Sequence, residues 1–172
     1  PAKDKMTRPA YRDIRKEDVE VVSEENATIR VLSGNYSGKS GAVRGDYVGV
    51  QYLDVDLAPG STWNYRGTPN DQTLFLYLIE GTLAADESLT GYEEKACALL
   101  MTASSGNGNE FDEVRVKAGP AGARFLLIAG KPLKEPVAWG GPIVMNTQEE
   151  LNLAFSELQE KTFIKHDNPQ EF

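Results

Sequence analysis

The sequence predicts an all-β protein, a sandwich or barrel of short strands, followed by a single C-terminal helix. Three observations predict it. Apolar residues recur with period two or in short runs from Thr28 onward. Turn residues stand between those runs. One stretch near the end, Thr147 onward, switches to helical spacing and carries its own start signal.

In chain order, Pro1 to Asn26 is polar and charged, with Pro9 and the cluster Arg15, Lys16, Glu17 and Asp18. It reads as a linker or arm. Thr28–Leu32 is the first apolar run. Gln51–Leu57 alternates, with Leu53, Val55 and Leu57 on one face and Tyr52, Asp54 and Asp56 on the other. Leu74–Ile79, Thr82–Ala85, Cys97–Met101, Val114–Lys117 and Arg124–Ala129 follow. Pro59-Gly60, Gly81, Gly91, the Gly106-Asn107-Gly108-Asn109 loop, Gly119-Pro120 and Gly130 separate them, the punctuation of a sandwich or barrel.

The helix is the most explicit local signal. Thr147 followed by Glu150 fits a capping box, in which each side chain satisfies a backbone donor at the helix start. Leu151, Ala154, Phe155 and Leu158 make one apolar stripe. An apolar residue at the staple position is missing, because Asn146 occupies it. The stripe needs a floor, and the outside or open end of the sheet structure is the expected one.

Composition bounds the function. A chain of 172 residues makes one ordinary domain. Eighteen Lys and Arg against 26 Asp and Glu leave a net charge of −8. Such a surface repels phosphate backbones and anionic membranes, so neither nucleic acid nor membrane is an expected partner. No apolar run approaches the roughly 20 residues of a membrane-spanning helix. Cys97 is the one cysteine, so an internal disulfide is impossible and a reducing, cytoplasmic location is expected. The chain begins at Pro1 rather than Met, so the natural N-terminus is expected to lie elsewhere.

Several segments together resemble the pirin family of two-cupin proteins. Glu135 to Glu150, EPVAWGGPIVMNTQEE, is similar to the family's "EPV…GPFVMNT.EE", which leads into a terminal helix. Gln51 to Gly60, QYLDVDLAPG, resembles "LYLDV.L.PG", and Leu76 to Gly81, LYLIEG, resembles "VYVLEG". Ala123 to Pro136, ARFLLIAGKPLKEP, is similar to "A.F.L.AGEPL.EP". Pro1 to Asp13 is similar to the connector between the family's halves, and the loop near Gly106 is the least familiar part.

The resemblance implies a cupin-type (RmlC-like) double-stranded jelly-roll β-barrel with a C-terminal helix. It divides the chain into an interdomain connector over 1–26, a C-terminal cupin barrel over 27–145, and a capped helix and tail over 146–172. The N-terminal cupin half of the same protein is then the expected partner, with a His-rich motif upstream of Pro1. In the family, as the resemblance implies, one metal, usually iron, is held in that first barrel by three His and one Glu. Some members oxidise flavonols such as quercetin with dioxygen, and animal members are described as nuclear cofactors of transcription. The terminal helix helps tie the halves together.

Laid on this chain, the cupin ligand pattern finds no ligands. The Glu expected before Gly81 falls on Leu74, the His pair falls near Gly67-Thr68-Pro69-Asn70, and the last His falls at Ala123 or Arg124. An N/O site for iron needs imidazole and carboxylate donors converging on one point. The only histidine is His166, near the C-terminus. Neither a metal nor a catalytic residue is therefore expected in this chain. The hard-cation alternative, Asn70 with Asp71 and Asp86, lacks the acidic loop spacing that calcium sites use.

Other features read as structure. Gly34-Asn35-Tyr36-Ser37-Gly38-Lys39-Ser40 misses the phosphate-loop spacing by one residue, and no helix pattern follows. Cys97 reads as a buried, inert thiol. Ser104 and Ser105 lack a base to take a proton. Asp54 and Asp56 read as a solvated outer face or a surface toward an absent domain. Trp63, Tyr65, Tyr77 and Arg124 are the candidate cavity residues, placed at the barrel mouth to stack on an aromatic ligand and pair an anion, or else filling core and rim. Two functions follow: a non-catalytic half that braces a metal-bearing cupin, and a small-molecule-binding cupin acting alone. A transcriptional role, working through protein contacts, rests only on the animal relatives.

Overall fold

A computed structural model describes residues 1–8, 10–69, 71–94, 97–101, 111–165 and 170–171. Its strands, in chain order, begin with β1 (Ala10–Tyr11), β2 (Glu20–Ser23), β3 (Ala27–Ser33), β4 (Asn35–Tyr36) and β5 (Lys39–Ser40). They continue with β6 (Val50–Leu57), β7 (Thr62–Pro69), β8 (Thr73–Ala84), β9 (Tyr92–Glu94), β10 (Ala98–Met101) and β11 (Phe111–Gly130). The remainder is β12 (Ala138–Gly140), β13 (Ile143–Met145), helix α1 (Gln148–Gln159) and β14 (Gln170–Glu171). Two compact units divide these elements, Ile14–Pro132 and the pair of segments Pro1–Asp13 with Leu133–Phe172.

The larger unit is a strand assembly in the order β10-β8-β11-β6-β3-β2, with β7 pairing β11 and β9 pairing β8. Alternation drives it. In β3, Ala27, Ile29, Val31 and Ser33 are buried while the residues between them are half-exposed, the period-two pattern of a sheet with one face on a core. In β6, Leu53, Val55 and Leu57 point the same way. Glu20–Ser23, inside the stretch read as an arm, pairs with Arg30 and its neighbours as strand β2.

Two long strands replace what the sequence punctuation divides. Gly81 and Gly119-Pro120-Ala121-Gly122 read as breaks between runs, yet β8 and β11 pass through them as corners. β11 pairs β7 over Phe111–Lys117, β6 over Ala123–Gly130 and β8 on both sides of the corner, with its register against β8 shifting between Ala118 and Ala123. The glycines make the bend possible. Gly81 has φ +75° and Gly122 φ +83°, and a Cβ on Gly81 would run into the Gly122 carbonyl oxygen. Trp63 and Tyr65, outside every run that the sequence marks as a strand, lie on β7.

The folded sheet encloses one core. Ile29, Leu53, Leu76, Leu78, Phe125 and Leu127 are all fully buried in it, joined by Val31, Val55 and Val116. Gly34–Ser40 forms a hairpin, β4 to β5, around Ser37 (φ 47°) and Gly38 (φ 79°). Positive φ at both central residues is the tight two-residue turn of a β-hairpin, which is why the phosphate-loop look-alike is a turn.

In the smaller unit, α1 packs on the β12–β13 hairpin. Leu151 and Ala154 are buried against Ile143, with Ala138, Met145 and Phe163 around them. The capping box forms: Thr147 Oγ1 accepts from Glu150 N at 3.2 Å, and Glu150 Oε2 accepts from Thr147 N at 3.0 Å and Asn146 N at 2.9 Å. Asn146, the missing staple residue, instead donates to the Pro136 carbonyl at 2.9 Å. The expected stripe is half buried: Phe155 is 37% and Leu158 44% exposed. The chain's first residues belong here too, since Ala2 N donates to Glu135 Oε2 at 2.8 Å and Lys5 Nζ to the Val144 carbonyl at 2.8 Å.

Candidate functional site

The barrel interior is filled where a metal-bearing cupin keeps its ligands. Leu74, at the position of the expected carboxylate, is 3% exposed and belongs to the core. Trp63 and Tyr65 enter from β7, with ring centroids 5.8 Å apart, and Phe125 meets Trp63 at 5.8 Å. Ala123 is buried beside them. Hydrocarbon side chains and an indole offer no ligand, and the one phenol among these residues, Tyr65, cannot hold an ion alone, so the residues present do not fit the metal that the fold family implies. Among the described residues no group of three or more His, Cys, Asp or Glu could hold an ion. Asn70, Ser104, Ser105, the Gly106–Asn109 loop and His166 lie outside the described residues. Asp71 and Asp86, the other proposed oxygen donors, are otherwise occupied. Asp71 pairs with Lys131 at 2.6 Å, and Asp86 accepts from Ser88 Oγ, Thr90 N and Gly91 N.

The four candidate cavity residues do not come together. Trp63 and Tyr65 face the interior. Tyr77 is 40% exposed and alternates with buried Leu76 and Leu78, so it stands on the opposite sheet face. Arg124, next to buried Phe125, stands on that face too. There it makes a two-pronged pair with Asp54, Nε to Oδ1 at 3.0 Å and Nη2 to Oδ2 at 2.8 Å. Arg30 reaches Asp54 at 3.5 Å and Asp56 at 2.6 Å. The hydrogen bonds to Asp54 hold the Arg124 guanidinium still more firmly protonated than usual.

Asp54 is thus a correction to the solvated-face reading: it is 6% exposed, clamped between two arginines on neighbouring strands. Asp54→Ala leaves Arg124 and Arg30 facing one another without their shared partner. Urea unfolding should show a loss of about 1–3 kcal/mol. Asp56→Ala, whose side chain is 41% exposed, should cost under about 1 kcal/mol. Cys97 is half-exposed rather than buried.

Of the four candidate cavity residues, only Tyr65 lines a cleft that sequence reading did not outline, about 1120 Å³ between the β4–β5 hairpin, the Gly41–Gly49 stretch and β7. Tyr36 lines it. Its ring stacks on Tyr65 at 6.3 Å and 17°, and its hydroxyl donates to Glu24 Oε1 at 2.5 Å while accepting from Trp63 Nε1 at 3.2 Å. Burial first, then the Glu24 carboxylate, pushes the Tyr36 phenol above its ordinary value of 10.0. The folded state therefore holds this proton more tightly than the unfolded chain. The stability it contributes is fully present below pH 10 and drains away as pH rises above that value. Tyr36→Phe should remove this part of the alkaline loss, read as a shallower fall in urea midpoint above pH 10. The sequence held a hint, the Asn35-Tyr36 pair at a tight turn, but no periodicity ties Tyr36 to Glu24 or Trp63.

A barrel folded on itself through glycine corners, with a filled interior and a helix-bearing terminal unit, is a cupin. The sequence matches the family of the pirin C-terminal cupin domain over residues 52–164. The chain belongs to the pirin family, as the pirin-like motifs led one to expect. It is 33% identical, over 98% of its length, to a Thermoplasma acidophilum protein provisionally named a quercetin 2,3-dioxygenase. It is 34% identical to Pirin-1 of Arabidopsis thaliana over 92% of this chain, and 33% identical to human Pirin over 91%. The chain spans only 64%, 53% and 51% of the lengths of those three relatives. A crystal structure of quercetin 2,3-dioxygenase from Acinetobacter baumannii superposes with a TM-score of 0.81 at 26% identity, covering 95% of this chain and 54% of that one. Among the described residues no helix is long and apolar enough to cross a membrane.

Proposed function

We propose that this chain is a metal-free, non-catalytic cupin that braces a second, metal-bearing cupin of the same protein. The observation that carries the reading is the chemistry of the interior: Leu74 and Ala123, at two of the expected ligand positions, are buried hydrocarbon side chains in one core with Trp63, Tyr65 and Phe125. The outer sheet face adds support. Tyr77 is exposed there and Phe75, Leu126 and Ile128 are only half-buried, an apolar set that suits contact with another body. In the smaller unit Trp139 is 77% and Leu153 59% exposed.

In this reading the iron, and any quercetin 2,3-dioxygenase chemistry of the kind named for its relatives, belongs to the other half. The cytoplasm is the compartment, and further partners are proteins drawn by the acidic surface, the one route by which a transcriptional role would act. A second reading, a small-molecule-binding cupin acting alone, draws on the cleft beside Tyr36.

Oxygen-electrode measurements on the purified chain with quercetin and added Fe(II) test the proposal. Oxygen uptake should equal that of the iron blank. Saturable turnover by this chain alone would overturn the bracing role.

A further inference from the structure

We propose that the cleft beside Tyr36 binds an uncharged, polyhydroxylated ring of the sugar class. The site opens beside the barrel interior, with which it shares Tyr65, and does not depend on the bracing role. Its aromatic side is Tyr36, half-exposed and stacked on the buried Tyr65, with the buried Trp63 at 6.1 Å behind it. Rings of this kind offer an apolar surface to the C–H face of a sugar.

The rest of the cleft is amide and hydroxyl. The side-chain amides of Asn64 and Gln72 have no hydrogen-bond partner among the described residues, and both border the cleft. An amide donates from nitrogen and accepts at oxygen, which matches hydroxyls that do both. Ser33 also borders the cleft, is only 6% exposed, and its hydroxyl has no partner among the described residues. A buried hydroxyl left unpaired is costly, so a ligand hydroxyl or water is wanted there. Asn35 and Gln51 are already joined to one another, Asn35 N to Gln51 Oε1 and Gln51 Nε2 to the Asn35 carbonyl, each at 3.1 Å, which stiffens the floor.

Charge argues against an ion as the ligand. Glu24 and Glu113 balance Arg44 and Arg66, and Arg66 is spent on Glu113 at 3.0 Å. The one guanidinium left unpaired among the described residues of the cleft, Arg44, acts within a chain of net charge −8, and a guanidinium also donates to neutral hydroxyls. The cleft is large enough for more than one ring.

The test uses the full chain carrying Trp139→Phe, which leaves Trp63 as the only indole of two. Methyl β-glucoside, cellobiose and inositol are the uncharged probes, citrate the charged one and catechol the flat aromatic one. Trp63 fluorescence and the amide shifts of Gly34 and Gly41 report binding. At least one uncharged probe should saturate both signals, and Asn64→Ala with Gln72→Ala should weaken it by roughly tenfold or more at an unchanged thermal midpoint. Saturation by citrate or catechol alone, no saturation by any probe, or sugar binding indifferent to the two substitutions would overturn the proposal. None of these outcomes touches the oxygen-uptake result, so the two readings fail separately.

Discussion

Replacing Phe125 with Ala is expected to destabilise the larger unit by about 3–5 kcal/mol, the range for emptying a buried aromatic site. Phe125 is fully buried in the middle of β11, opposite Val55 of β6 on one side and Leu78 of β8 on the other. Its ring meets Trp63 at 5.8 Å with the planes tilted 59°, an arrangement whose favourable edge contacts vanish with the ring. Trp63 is also tied by its Nε1 hydrogen to the Tyr36 hydroxyl, so it is poorly placed to collapse into the void. Since whole domains are stable by only about 5–15 kcal/mol, the variant should unfold at a much lower urea concentration. Leu126→Ala, one residue along on the half-exposed face, should cost far less. Equal losses at the two positions would mean that the alternation along β11 does not define the core.

The second large effect is expected in the terminal unit. Leu151→Asp with Phe155→Asp should abolish packing of α1 on the β12–β13 hairpin, at a cost above about 3 kcal/mol. Leu151 carries most of that, because it is 3% exposed and a carboxylate there has no partner among Ile143, Ala154 and Phe163. Phe155 is 37% exposed and its edge lies over Gly140, where even a Cβ would come within 3.0 Å of Cε2. Phe155→Asp alone should therefore be the milder change. Loss of helical circular dichroism at a lowered midpoint checks the pair; an unchanged midpoint would mean that the helix is not held by this face.

What the sequence made legible is what depends on neighbours along the chain. The alternation of Leu53, Val55 and Leu57 and the Thr147–Glu150 box are local, and both appear as expected. The pirin-like motifs carried the fold class and the family. Corners were illegible because Gly81 and Gly122 look the same whether a strand ends or bends, and only the clash of a Cβ with the facing carbonyl distinguishes them. Strand β7 was missed because its inward residues are Trp63 and Tyr65 and its outward ones Asn64 and Arg66, too short a pattern to count. The Asp54 clamp depends on β3, β6 and β11 lying side by side, as does the separation of Arg124 from Trp63. No spacing in one dimension encodes either. The Tyr36 cleft joins residues from Glu24 to Glu113, and so was out of reach for the same reason.

The most direct test of the central claim is metal analysis of the chain after incubation with Fe(II), Mn(II) and Zn(II) and exhaustive desalting. The side chains packed in the interior predict only trace metal, with no change in thermal midpoint on metal addition. A single tightly held ion per chain, raising the midpoint and shifting signals from Trp63, would contradict the account.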